Sequence, residues 1–133
     1  MFNNISKQAG VESFLTSFTK SKMKSSTMTD DQYLDWLSTF RFIQNDPVTV
    51  ALRAVEGAIE IHYTSNGDAN PKACLRAFKD LLTLLPVNLV TYITEKDKKL
   101  IRFMCKFGFQ KKWVGFTELD GIQYRRFKLT KEE

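Results

Sequence analysis

Glu60 and His62 stand two residues apart in the run Ala58 to Thr64, where apolar and polar residues alternate as they do along a half-buried strand. A period of two puts both side chains on one face. A carboxylate beside an imidazole forms an acid–base pair, and either group could take a proton from a nucleophile. The same residues also suit a plainer role, with His62 packed and hydrogen-bonded and Glu60 in a salt bridge. His62 is the only histidine, so a histidine-built zinc centre lacks ligands. Cys74 and Cys105 fall on separate predicted helices and form no C-x-x-C pair. They read as reduced, mostly buried thiols rather than as nucleophiles.

A second chemical feature follows at once. Thr64-Ser65-Asn66-Gly67-Asp68-Ala69 is a polar loop with small residues, and Asn70-Pro71 after it is a helix start. The asparagine caps, and proline occupies a first-turn position where its missing N–H costs nothing. Free N–H groups at such a start attract an anion, and the helix dipole reinforces them. A plain turn into a capped helix accounts for these residues equally well. The net charge of +5 and pI near 9.2 favour acidic or phosphorylated partners. The lysines are dispersed, apart from Lys20, Lys22 and Lys24 and the cluster Lys96, Lys98, Lys99. A solvated basic surface is the simpler reading, and no RNP, KH or zinc-finger motif argues for nucleic acid.

These groups need a scaffold, and 133 residues give one domain with a single core, residues 1–133. Apolar residues are 43% and charged residues 26%, with eleven phenylalanines, so the core should be aromatic. No apolar run is long enough to cross a bilayer. The N-terminal M-F-N-N-I-S-K-Q lacks the basic and apolar regions of a secretory signal, which points to the cytoplasm.

The order of elements can be read along the chain. Phe2 to Ile5 suggests a short strand, and Val11, Phe14, Leu15 and Phe18 mark a helix over roughly residues 11 to 20. Lys20 to Thr27 reads as an exposed connection. Thr29-Asp30-Asp31-Gln32 is a capping box, and Tyr33, Trp36, Leu37 and Phe40 supply the apolar face of the helix it opens. Asn45-Asp46-Pro47 and Val55-Glu56-Gly57 punctuate three antiparallel strands that begin near Thr39. Cys74, Ala77, Phe78, Leu81, Leu82 and Leu85 recur at helical intervals until Pro86. Val87 to Thr94 is a strand, and residues 97 to 107 form the last helix. Gly108-Phe109 stops that helix, and Lys111 to Thr117 folds back on Ile122 to Leu129 across Glu118-Leu119-Asp120-Gly121. The implied fold class is mixed α/β: a mostly antiparallel sheet, one parallel crossover and helices on both faces.

That order, closed by the helix, the Gly-Phe stop and the hairpin, resembles the GCN5-related N-acetyltransferase (GNAT) fold over nearly the whole chain. The family loop Q/R-x-x-G-x-G/A resembles Thr64 to Ala69, with Gly67 and Ala69 at the small positions and Thr64 replacing the usual Gln or Arg. The family segment N-x-x-A-x-x-x-Y-x-x-x-G-F resembles the stretch ending at Gly108-Phe109. Asp97 falls on its asparagine, Leu100 on its alanine and Met104 on its tyrosine. The resemblance implies transfer of an acetyl group from acetyl-CoA to the amine of a small molecule or protein. Thr64, Gly67, Asp68, Ala69, Asn70, Asp97 and Met104 would contact the coenzyme, and Glu60 or His62 would be the base. The family's tyrosine commonly protonates the leaving thiolate, and a methionine cannot.

The runs E-I-H-Y-T-S and I-R-F-M, together with the compact size, also look like small bacteriophage members of the superfamily. This implies the alternative of a scaffold that has lost its chemistry and serves as an internal virion, assembly or host-interaction protein. Its partners would then be virion or host proteins, in the host cytoplasm or the virion.

Overall fold

The computed structural model describes residues 1–18, 29–65, 70–119 and 121–133. The expected connection over Lys20 to Thr27, the expected loop residues Gly67, Asp68 and Ala69, and Asp120 of the expected turn lie outside these.

The chain runs β1 (Asn3–Asn4), α1 (Lys7–Phe18), α2 (Asp30–Ser38), β2 (Arg41–Asn45), β3 (Val48–Val55) and β4 (Ala58–Ser65), then α3 (Pro71–Leu84) and β5 (Leu89–Thr94). A 3₁₀ turn at Glu95–Asp97 leads into α4 (Lys98–Lys106), followed by β6 (Gln110–Leu119) and β7 (Ile122–Lys131). Among the described residues the strands form one sheet in the order β1-β2-β3-β4-β5-β7-β6. Only β4 and β5 pair in parallel. The expected mixed sheet with one parallel crossover is therefore the observed fold.

Local chemistry sets the element ends. α1 begins at Lys7, ahead of the expected residue 11, because the Ser6 hydroxyl accepts the Ala9 N–H at 3.1 Å and so caps the helix. Gly10 on α1 faces β2: a Cβ there would lie 2.1 Å from the Phe42 ring, so only glycine lets the helix sit this close. α2 opens with the full capping box, Thr29 accepting from the Gln32 N–H while the Gln32 side chain accepts from the Thr29 N–H. Asn70 caps α3 by accepting the Lys72 N–H at 2.8 Å, with Pro71 in the first turn.

At the end of α4, Gly108 takes φ +95°. Its N–H reaches the Cys105 carbonyl, and the Phe109 N–H reaches back to the Met104 carbonyl. This is a Schellman stop, in which the left-handed residue lets two orphan carbonyls be satisfied and Phe109 turn back onto Met104. Both of those side chains are buried in one core cluster. In the closing hairpin Leu119 pairs directly with Ile122, so β6 runs two residues beyond the expected Thr117 while β7 begins at Ile122 as expected.

Alternation divides the sheet's two faces. Val50, Ile61, Leu89, Ile93, Phe127 and Leu129 face α3 and α4, around Phe78, Leu81, Ile101, Met104 and Phe109. Ala51 and Phe42 face α1 and α2, around Phe14, Tyr33, Leu37 and Phe40. Glu60, His62 and Thr64 share this second face with Ala51, the residue paired with His62. Helices thus cover both faces, and Glu60 and His62 lie under α2.

Candidate active site

The parallel pairing of β4 with β5 is brief. It covers Ile59↔Leu89 and Glu60↔Val90 and then stops, although β4 continues to Ser65 and β5 to Thr94. Asn88 clamps the closed end: its carbonyl accepts from the Ile59 N–H at 2.9 Å, and its side-chain amide donates to the Gly57 carbonyl. Beyond Glu60 the strands bound a cleft of about 200 Å³ that opens through the sheet. Ile61, His62 and Tyr63 form one wall, and Thr91, Tyr92, Ile93 and Thr94 form the other. β4 pairs with β3 on its far side along its whole length. Its alternate N–H and C=O groups between residues 61 and 65 therefore point toward β5 with no strand partner.

On the α2 side, Glu60 is 4% exposed and His62 8%. Glu60 Oε2 lies 2.6 Å from His62 Nε2, while Oε1 accepts from Arg53 Nε at 3.1 Å and Nη2 at 2.9 Å. Burial alone would raise the Glu60 pKa, but the bonds from His62 and Arg53 outweigh it and hold the carboxyl below its ordinary value. Glu60 is therefore ionised at neutral pH. A carboxylate can only accept, so the imidazole donates to Glu60 from Nε2. Trp36 and Phe40 set their rings against His62 at 5.0 and 5.5 Å, and Arg53 stacks on Phe40 at 4.5 Å. The imidazole is thus oriented by a carboxylate and two rings, and it lines the cleft with Trp36.

The opposite side of the cleft is formed by Met104, Leu100 and Asp97 on and before α4, with Tyr63 from β4. Burial pushes the Tyr63 hydroxyl up to about 12, helped by the nearby Cys74 and Asp97, so this phenol stays protonated. Among the described residues no cluster of three or more His, Cys, Asp or Glu could hold a metal. No helix among them is long and apolar enough to cross a membrane.

The cleft gathers His62, Asp97 and Met104 from two separate stretches of sequence, with Glu60 directly behind His62. Thr64 is buried on β4 one alternation beyond His62. Asn70 sits at the start of α3, its side chain committed to the cap. Gly67, Asp68 and Ala69 lie outside the described residues. Sequence reading missed Arg53, Trp36, Phe40 and Arg126 as parts of this site. Arg53 was within reach: a two-residue turn at Glu56-Gly57 sets Arg53 opposite Glu60. The others meet the site only through tertiary packing.

No family model matches the sequence, and no curated protein matches it. Solved structures do. A GNAT-family protein from Bacteroides thetaiotaomicron superposes with a TM-score of 0.72 at 12% identity, covering 100% of this chain and 87% of its own. The fold is the GNAT fold. An IAA acetyltransferase from Bacillus cereus matches with a TM-score of 0.68 at 13% identity, covering 100% and 99%. The Salmonella typhimurium protein yncA, solved with its cofactor acetyl-CoA, matches with a TM-score of 0.68 at 12% identity, covering 99% and 92%. Each match runs over 99–100% of this chain and 87–99% of the solved structure.

Proposed function

We propose that this protein is an acetyl-CoA-dependent N-acetyltransferase, and the unpaired stretch between β4 and β5 carries the reading. An extended chain of amides laid against residues 61–65 would satisfy strand groups that have no partner within the sheet. The neighbour yncA carries acetyl-CoA on the same fold, and that coenzyme has such an amide arm ending in a diphosphate. Thr64 and the loop through Gly67, Asp68 and Ala69 would lead the diphosphate to the N-terminal turn of α3, next to Asn70. Asp97 and Met104 would line the other side of the arm.

Acetyl-CoA supplies an activated acyl carbon; the chain's own residues supply the proton chemistry. His62 accepts the proton that the acceptor's ammonium must lose before its nitrogen can attack, and the ionised Glu60 stabilises the imidazolium that results. The new N–C bond forms as the C–S bond breaks, the electron pair leaves on sulfur, and the second proton of the attacking nitrogen ends on that thiolate to give the free thiol. Tyr63, kept protonated by burial, can hydrogen-bond that sulfur from the wall where Met104 cannot.

Calorimetry with acetyl-CoA tests the reading directly. Saturable binding is expected, and no binding at millimolar ligand would sink it. With binding in hand, His62→Gln should lower kcat by about 10²–10⁴ and leave acetyl-CoA affinity unchanged. Unchanged turnover would remove His62 from the proposal.

Met104 favours a second reading. A scaffold that has lost its coenzyme chemistry could act in a virion, in assembly or on a host protein. The bacteriophage origin in that reading rests on sequence alone. Binding of acetyl-CoA without thiol release to any amine would move the balance toward it.

A further inference from the structure

Arg125 and Arg126 are neighbours on β7, yet they serve opposite faces of the sheet. Arg125 is locked: Glu95 accepts both its backbone N–H at 3.1 Å and its Nε at 2.7 Å. Arg126 lies at the mouth of the cleft, its guanidinium 4.4 Å above the Tyr92 ring. Among the described residues no carboxylate pairs with it. Its partner on β6 is Gly115, which has no side chain to cover that flank.

Among the described residues, the strand face around Arg126 is predominantly basic. Among the described residues, the core cluster under α1 and α2 takes no residue from β5, β7 or β6 on this face. There the pairing brings Lys128 opposite Tyr92 and Lys112 opposite Lys128, and Lys96 stacks on Tyr124. The alternation puts no described Asp or Glu on these three strands' open face: Glu118 pairs with Gln123, on the same face as Arg125 and Phe127. The carboxylate that does line the cleft, Asp97, sits on the α4 side, where its charge acts on Tyr63.

Resting on the transferase reading, we propose that the acceptor is an anionic amine, one whose remainder carries a carboxylate or a phosphate, and that Arg126 reads that group at the mouth of the cleft while the amine faces His62. A planar guanidinium backed by an aromatic ring is preorganised for a two-oxygen anion. The lysines around it add attraction without fixing geometry. The limited space beside His62 and Trp36 confines the reacting end to a narrow amine, with the charge held outside.

The test compares initial rates of thiol release from acetyl-CoA for matched acceptors: β-alanine against β-alaninamide, phosphoethanolamine against ethanolamine, and an aspartyl peptide against its asparaginyl counterpart. The anionic member of at least one pair should be preferred about tenfold or more in kcat/KM, and the pair that responds tells carboxylate from phosphate. Arg126→Gln should remove that preference through KM, Arg126→Lys should restore part of it, and Arg125→Gln should leave it intact. Equal rates within every pair, inert anionic acceptors, or a preference that survives Arg126→Gln would overturn the proposal. Calorimetry on the same variants separates the alternatives. Weaker acetyl-CoA binding in Arg126→Gln would assign the arginine to the coenzyme and overturn the acceptor role. Absence of acetyl-CoA binding in the unaltered protein would overturn the transferase reading itself, and this one with it.

Discussion

Around Phe78, on the α3/α4 face, Tyr63, Phe103, Phe107 and Phe109 close with ring centroids 5.1 to 6.4 Å away. Around His62, on the other face, two rings also close, but here they enclose a charged network of Arg53, Glu60 and the imidazole. The first region gains its stability from apolar area and interdigitated rings. The second contains polar groups that would be costly to bury, tolerated because each Glu60 oxygen has a partner. One strand serves both: Ile61 and Tyr63 look into the apolar core while Glu60 and His62 look away from it. The main apolar core and the buried acid–base pair thus lie on opposite faces of β4, and a change on one should be felt only weakly on the other.

The largest effect should come from Phe78→Ala. It removes a 4%-exposed ring at the centre of that cluster and leaves a cavity, so the unfolding free energy in denaturant should fall by about 3–5 kcal/mol. A loss below about 1 kcal/mol would mean that α3 is not the anchor this contrast requires. Glu60→Gln should cost less, about 1–3 kcal/mol, because the hydrogen-bonded shape survives while the charge that satisfies Arg53 is lost. Its mark is in the pH dependence. The native carboxyl sits below its ordinary value of 4.5, so Glu60 adds stability that is complete above that value and is lost as pH falls through the lower native one. Urea midpoints followed from pH 6 to pH 3 should drop more steeply for the unaltered protein than for Glu60→Gln. Parallel slopes would show that the carboxylate is not held as described.

Much of the apolar face was legible in the sequence. The Cys74-to-Leu85 periodicity, the Asn70-Pro71 start and the Gly108-Phe109 stop rest on interactions within a few residues, so local pattern suffices to read them. The shared face of Glu60 and His62 was equally local. The cleft was not legible, because it depends on where the β4–β5 pairing stops, and no residue type marks that point. Arg126 illustrates the limit. Two adjacent arginines look alike in sequence, and only the chain reversal that brings Glu95 to Arg125 makes one structural and leaves the other open.

A smaller effect tests whether α2 belongs to the chemical region. Thr29→Ala deletes the cap that accepts the Gln32 N–H and should lower stability by about 1 kcal/mol. α2 carries Trp36, and the chain just after it carries Phe40, so both rings against His62 depend on its seating. The variant should therefore perturb the His62 ring resonances in NMR while the Phe78 cluster keeps its own. Equal disturbance of both would erase the division between the faces.

The smallest effect separates two carboxylates that look alike in titration. The Arg125 side-chain bond, first, and then its backbone bond hold Glu95 below its ordinary pKa, as partners hold Glu60. The sign is also the same: each contribution is present above about pH 4.5, the ordinary value of both, and fades as the acid form fills. The surroundings differ, since the Glu95 and Arg125 side chains are 25% and 54% exposed and the Glu60 and Arg53 side chains 6% and 31%. Salt screens charges in water and does little to buried ones. Raising salt to about 1 M should therefore erase the difference between the unaltered protein and Glu95→Gln in thermal midpoint, and leave the deficit of Glu60→Gln almost unchanged. If both deficits vanished with salt, the network beneath α2 would be a solvated ion pair, and His62 would lose the fixed carboxylate on which its proposed role as a base depends.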